Sequence, residues 1–349
     1  GRFFRVAPGG IDIGGMRQAN KDMAKRLAGQ GYVVLVVNPF YRTDTAPVMA
    51  KINAQVPADA CAWLFGSAAL DMARQGVFYA EGGAWSIART LADALIRDGG
   101  ELRYRAWVER ILVEGGRAVG VRLAGGEELR ARQIIAGQTV WDVARLLGEA
   151  APRRLLTMLR TTPEGWGAFT LYLGVADPGI PTGLPEHHQV LLRYGEPMGE
   201  GNTAFISLHP AHDASRAPAG QRAVTISTHT RVGPWWQARA AGRAAYVERK
   251  GVWAERLLAA AEVALPGLRG HIRYRQEGTP VSFQRYTRRA DGMVGGLGQR
   301  PAQSGFSSLG PRAAGVPGLL LVGDSAFPGQ SSAAVTQGAI RLYQALRRG

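Results

Sequence analysis

The sequence predicts an α/β fold in which strand and helix units at the two ends of the chain enclose a mixed α+β middle. Three observations carry this expectation. An apolar strand at 319–322 breaks at Gly323 and Asp324, turns through Pro328 and Gly329, and enters a helical pattern that runs from about 332 to 348. A strand, loop, helix and strand follow one another between 3 and 37, and short strands between 108 and 135 are separated by Gly-Gly turns.

Taken in order, residues 3–7 read as a strand and 8–15 as a turn-rich loop. Met16, Met23 and Leu27 lie among charged neighbours and predict a helix over 16–30, stopped by Gly31. Residues 32–37 are rich in β-branched side chains and read as a buried strand. Two readings compete for this unit. A dinucleotide-binding turn needs G-x-G-x-x-G and an acidic residue ending the second strand. The glycines instead fall at 9, 10, 14 and 15, and the second strand ends in Asn38. The other reading starts from the helix and strand at 22–42: residues 9–48 resemble the early part of dienelactone hydrolase-type α/β-hydrolases. That chemistry needs a nucleophile on a tight elbow. Cys61 lies in a helical context, and Ser67 follows Gly66 without G-x-S-x-G spacing.

Further along, residues 85–97 form a helical pattern ended by Gly99 and Gly100. Strands are expected at 102–105, 108–113, 118–123 and 127–135. The middle of the chain holds a helix at about 246–263 and strands at 168–174, 203–208 and 222–229.

Composition limits the function classes. The chain has 349 residues, 46% of them hydrophobic and 20% charged, which suits one or two core-forming domains. Its formal charge is +15, but only four of the 42 basic residues are Lys, and no dense basic run, zinc-finger spacing or RNA-binding signature accompanies them. Nucleic acid is therefore not expected as a partner. Arg285, Arg288 and Arg289 form a cluster that either attracts an anionic membrane surface or is a plain solvated face. The single cysteine excludes an internal disulfide, and His209 and His212 with Pro210 between them make a poor metal pair, so no metal is expected. No apolar run reaches the length of a bilayer span, and residues 1–5 show no signal-peptide pattern, so a cytoplasmic location is the expectation.

Three segments carry a family resemblance: 76–83 with the helix after it, 278–287 with 292–296, and 318–330. Through them the chain, from about residue 77 to 349, resembles the phytoene desaturase and carotenoid isomerase group of FAD-dependent oxidoreductases. The resemblance implies an incomplete FAD/NAD(P)-binding domain of the flavin amine oxidase type, made from 66–150 and 275–349, interleaved with an α+β substrate domain at 151–274. Residues 1–65 remain as the hydrolase-like βαβ segment, a fusion or rearrangement. It further implies FAD as cofactor. Asp324 would accept hydrogen bonds from the ribitol hydroxyls, Gly323 would allow close backbone approach, and Pro328, Gly329 and Gln330 would lead into the helix whose positive end faces the flavin. Gly82 and Gly83 would bring backbone near the flavin, against the simpler reading of a turn before a helix. Val108 would use its backbone at the adenine end, against the simpler reading of a buried strand residue.

On the substrate side, Gly295 and Gly296 would make room for a long flat hydrocarbon. Phe283 and Tyr286, with Trp235 and Trp236, either line an apolar tunnel or belong to a core. The implied reaction is hydride removal from a polyene or similar lipid, with a lipophilic substrate and contact at a membrane periphery. One departure weighs against full function: without the G-x-G-x-x-G turn the diphosphate loses its helix N-terminus. The expectation is that FAD binds weakly or not at all. A non-catalytic flavoprotein remnant that binds lipid or a partner, and more distantly a hydrolase, are the other readings.

Overall fold

The computed structural model describes residues 3–5, 33–35, 61–62, 80, 82–162, 165–193, 196, 199–300 and 309–348. At the start of the chain β1 (Phe3–Arg5) pairs in parallel with β2 (Val33–Leu35), Phe3 opposite Val33. The helix expected at 16–30, the rest of the hydrolase-like stretch 9–48, and Ser67 lie outside the described residues.

The middle of the chain builds a five-stranded antiparallel sheet, in the order β11-β7-β10-β9-β8. Its strands are β7 (Trp166–Ala176), β8 (His187–Leu191), β9 (Thr203–Leu208), β10 (Gln221–Arg231) and β11 (Ile272–Gly278). Alternation fixes the register: Phe169, Leu171, Leu173 and Val175 of β7 all point to one face, and Leu171, Ile226 and Ile206 stand in one row across the sheet. Against that face lies α5 (Arg243–Ala264), which presents Trp253, Leu257, Leu258 and Ala261, with Ala254 and Ala260 allowing close approach. The helix before it, α4 (Gly233–Ala240), inserts Trp235, whose ring stacks on Phe169 at 5.3 Å and whose indole N–H donates to Thr230 Oγ1 at 3.0 Å. Full burial of such side chains stabilises by about 1.5–3 kcal/mol each. The short α6 (Leu268–His271) then leads into β11.

A second core gathers segments from both sides of this insertion. A three-stranded meander, β3 (Val108–Glu114), β4 (Arg117–Leu123) and β5 (Glu128–Arg130), packs with α2 (Val140–Leu147) and α3 (Arg153–Thr161). Next to it β6 (Ile134–Ala136) pairs in parallel with β12 (Leu319–Leu321), Leu319 opposite Ile134. The chain thus leaves this layer after α3 and returns to it at β12, with the five-stranded layer built in between. Ile111, Val140, Leu147, Leu155, Leu319 and Leu321 share the interior. The last helix, α8 (Ser332–Arg348), contributes Leu342 as its only buried residue, and α1 (Ala84–Arg97), ahead of the meander, buries none. Among the described residues no helix is long and apolar enough to cross a membrane.

One expected strand is absent. Residues 102–105 are a turn and coil, with Arg105 at φ 58°, and Arg103 pairs its guanidinium with Glu101 and Glu127 instead of extending a ladder.

Candidate functional site

The site grows from the end of β12. Val322 donates its N–H to Ala136 O at 3.0 Å, which carries the strand one residue further before Gly323 breaks it at φ 103°. Asp324 follows, then Ser325 to Gly329 curl back, and Ser331 caps α8 by accepting from Ala334 N at 3.1 Å. Gln299 lies against Gly329, where a Cβ would meet its amide at 3.0 Å.

A second segment closes on this turn from the substrate side. Its helix, α7 (Pro280–Thr287), opens with a capping box: Thr279 Oγ1 accepts from Ser282 N at 3.3 Å, and Thr279 N donates to Ser282 Oγ at 2.6 Å. It ends at Arg288, in the left-handed region at φ 59°. That turn sends Arg289 inward. Arg289 donates Nε to Met293 O at 2.8 Å, and Nη2 to Gly295 O at 2.8 Å and to Asp324 Oδ2 at 2.7 Å. The next residue is pinned as well: Ala290 N donates to Asp142 Oδ2 at 3.1 Å, and Asp142 is buried on α2, bonded to Thr139 Oγ1 and Arg145. Gly296 packs so tightly that a Cβ there would stand 2.3 Å from Asp324 O. The loop also joins the sheet, where Val294 N donates to Trp166 O at 2.9 Å.

The predicted residues therefore separate into groups. Gly295, Gly296, Gly323 and Asp324 converge, and Pro328, Gly329 and Gln330 continue the same turn. Gly82 and Gly83 make their contacts with a different segment. Gly82 N donates to Asp213 Oδ2 at 3.3 Å, Gly82 O accepts from Arg216 Nη1 at 3.0 Å, and the Arg216 guanidinium covers Gly83. Their polar groups are spent on the loop after β9, beside a cavity of about 350 Å³ lined by His209, Asp213, Arg216 and Arg222. Burial and then the neighbouring Arg216 hold the His209 imidazole below its ordinary value. Val108 opens β3 opposite Leu123 and packs on the second core.

The aromatic residues do not form one tunnel. Trp235 is core, Trp236 donates to Asp291 O at 3.0 Å, and Tyr286 is 77% exposed with Arg285 over its ring. Phe283 lies on one side of Gly278 and Tyr172 on the other, a Cβ at Gly278 standing 3.3 Å from Tyr172 and 3.6 Å from Phe283. Tyr172, together with Phe205 two strands away, lies on the face of the sheet opposite the core. Neither was singled out from sequence, although the alternation of β7 and β9 marks both. The basic cluster divides too. Arg288 lies over the Trp107 ring at 4.0 Å and Arg285 over Tyr286, but Arg289 is committed to the interior and is no part of a surface patch.

Cys61 sits in a bend, not a helix, and burial pushes its thiol up to about 11. It is a thiol and not a thiolate near neutral pH, which makes it a poor nucleophile.

Two oxygens test whether this turn suits a flavin. Ser325 Oγ is buried with no hydrogen-bond partner, and Arg289 takes only Oδ2 of Asp324, leaving Oδ1 as an acceptor. A carboxylate oxygen and a hydroxyl on successive residues match the hydroxyls of a ribitol chain in donor and acceptor type. The opening left between Leu297, Gln299 and residues 324–329 is about 10 Å³, room for one water. Among the described residues nothing corresponds to the Gly-rich turn that would take the diphosphate.

No family model matches the chain. It is 33% identical over 267 residues to a chloroplastic prolycopene isomerase of Daucus carota, an alignment covering 74% of this chain and 42% of that protein. The chloroplastic prolycopene isomerase of Arabidopsis thaliana matches at 33% identity over 74% of this chain and 44% of its own length. A zeta-carotene-forming phytoene desaturase of Myxococcus xanthus is 28% identical over 73% of this chain and 49% of its own. The chain thus spans less than half the length of these relatives. Two solved structures share the fold: a cyclohexylamine oxidase from Brevibacterium oxydans IH-35A, with TM-score 0.54 and 15% identity over 86% of this chain and 64% of that one, and an oxidoreductase from Methanosarcina mazei, with TM-score 0.53 and 19% identity over 76% and 55%. The hydrolase-like reading of residues 9–48 gains no support from these relatives. Over about three quarters of its length the chain is related in sequence to the carotenoid isomerases and phytoene desaturases, and its fold is that of the FAD-dependent amine oxidases and oxidoreductases.

Proposed function

We propose that this chain is a FAD-dependent oxidoreductase of the carotenoid desaturase or isomerase type, acting on a polyene or similar lipid and impaired by the lack of a G-x-G-x-x-G turn. The observation that supports it most is the junction at Asp324, where the predicted cofactor turn and the predicted substrate loop are held together by Arg289 and by the close approach of Gly296. Relatives named for the isomerisation of prolycopene and the desaturation of phytoene support a lipophilic polyene as substrate. The chemistry a flavin supplies when bound is hydride uptake from an unactivated or allylic C–H.

The protein's own part is binding and orientation. Asp324 and Ser325 hold ribitol hydroxyls, and Gly296, which sequence alone would assign to substrate space, instead lets the loop close on the Asp324 backbone. Tyr172 and Phe283 offer an apolar wall for a flat hydrocarbon. In this reading 66–150 and 275–349 form the cofactor-side portion and 151–274 the substrate domain, with access to substrate at a membrane periphery. FAD is held weakly, because loss of a diphosphate-binding turn removes several kcal/mol, roughly a thousandfold or more in affinity.

The narrow opening beside Asp324 favours a second reading, a flavoprotein remnant that binds lipid without turnover. The test is an absorption spectrum taken after FAD is added and the excess removed, followed by a polyene under anaerobic conditions. Retained flavin bands that bleach on adding the polyene support the enzyme. Bound polyene without flavin supports the remnant.

A further inference from the structure

We propose that Arg289 is the positioning residue of this site, orienting Asp324 toward a ligand rich in hydroxyls; on the reading above, that ligand is the ribitol of a flavin. One guanidinium spans three acceptors: Met293 O, Gly295 O and Asp324 Oδ2, at 2.8, 2.8 and 2.7 Å. The first two belong to the loop on the substrate side, and the third to the turn after β12. A planar fork makes these bonds from a single fixed position, which a lysine ammonium cannot do in the same geometry.

The surroundings hold the guanidinium in place. The side chains of Arg289 and Asp324 are 22% and 16% exposed, so water competes little for the pair. Arg288 N donates to Gln284 O at 2.8 Å as the left-handed cap of α7, which aims the following residue inward. Ala290 N is fixed to Asp142 on the opposite side. The loop is therefore pinned at both ends of the Arg289 residue, and the carboxylate it grips has one oxygen occupied and one open. Ser325 Oγ, buried and without a partner, lies one residue on. An open carboxylate oxygen accepts from one hydroxyl while the serine hydroxyl donates to or accepts from a neighbouring one. With Arg289 removed, Asp324 loses the bond that fixes its rotation.

The test compares riboflavin with lumiflavin, which carries a methyl group in place of the ribityl chain. Binding of each is followed by quenching of flavin fluorescence on the full chain and on its Arg289→Gln, Arg289→Lys and Asp324→Asn variants. Arg289→Gln is expected to weaken riboflavin about tenfold, the scale of a lost hydrogen bond to a charged group. Lumiflavin binding stays unchanged, Arg289→Lys recovers only part of the loss, and Asp324→Asn adds little to Arg289→Gln. Equal weakening of both flavins, or none, overturns the proposal, since a purely structural role would not distinguish the ribityl chain. If the unaltered chain binds neither flavin, the flavin reading fails. The proposal, which rests on that reading, is then overturned with it, whereas riboflavin binding that Arg289→Gln leaves unchanged overturns the proposal alone.

Discussion

Phe169, Trp235 and Leu257 are fully buried where the five-stranded sheet meets α5, whereas α1, a helix of 14 residues, buries none of its side chains. The contrast extends to the layers around them. The substrate-side sheet has five strands and a helix of 22 residues across one face, but the parallel pair β6 and β12 has two strands among the described residues, and α8 places only Leu342 in the interior. A two-stranded pair holds together poorly without a packed face. The substrate-side layer is thus stabilised by its own core. The cofactor-side turn packs Leu319, Leu321 and Ala326 into the smaller second core, and Arg289 ties it to the loop after α7 through Asp324.

Mutations can break or sharpen this contrast. The largest effect is expected from Trp235→Ala, which empties the centre of the sheet-to-helix core and should cost about 3–5 kcal/mol in urea unfolding. A loss below about 1 kcal/mol would mean that the core is not where the stability lies. Next comes Gly296→Ala. Its new methyl carbon would stand 2.3 Å from Asp324 O, so loop and turn must part, at about 1–3 kcal/mol and with weakened flavin binding. Unchanged binding would show that the close approach is incidental.

A smaller effect concerns His209, held below its ordinary value by burial and by Arg216. The unfolded chain then takes up the proton first. Stability is expected to fall as pH drops through about 6.5 toward the folded value, and to level off below it. Melting temperatures between pH 8 and 5 should show a steeper acid loss in the unaltered chain than in His209→Gln; equal slopes would remove His209 from the account. The smallest effect is expected from Leu91→Lys on α1. Leu91 is 67% exposed, and the change should stay within about 0.5 kcal/mol. A large loss would mean that α1 is covered in solution, and the contrast between the halves would shrink.

Much of this architecture could be read from sequence where a period or a turn is strong. The alternation of β7 and β10 and the apolar spacing of α8 gave elements close to the observed bounds, but the strand expected at 127–135 is two, β5 closing the meander and β6 pairing with β12. Edge strands gave weaker signals: β11 reads Ile-Arg-Tyr-Arg-Gln-Glu-Gly, with no apolar period, because most of its side chains meet solvent. The helix α7 went unrecognised although Thr279, Pro280 and Ser282 spell its capping box and first turn. At the site, Asp324 was legible because an acidic residue follows a strand and a glycine. Arg289 was not: in sequence it is one of three neighbouring arginines, and only the left-handed turn at Arg288 separates its fate from theirs. Tyr172 needed the register, which sets it beside Gln276 and Thr225 on the outward face.

The central claim is that the Asp324 turn, and not the Gly82 and Gly83 turn, is where this chain meets a flavin. It is tested most directly by titrating FAD into the unaltered protein and into Asp324→Asn while following the visible absorption bands. Perturbed bands with the unaltered chain and an affinity about tenfold lower for Asp324→Asn are expected. Equal affinity for the two proteins would contradict the claim.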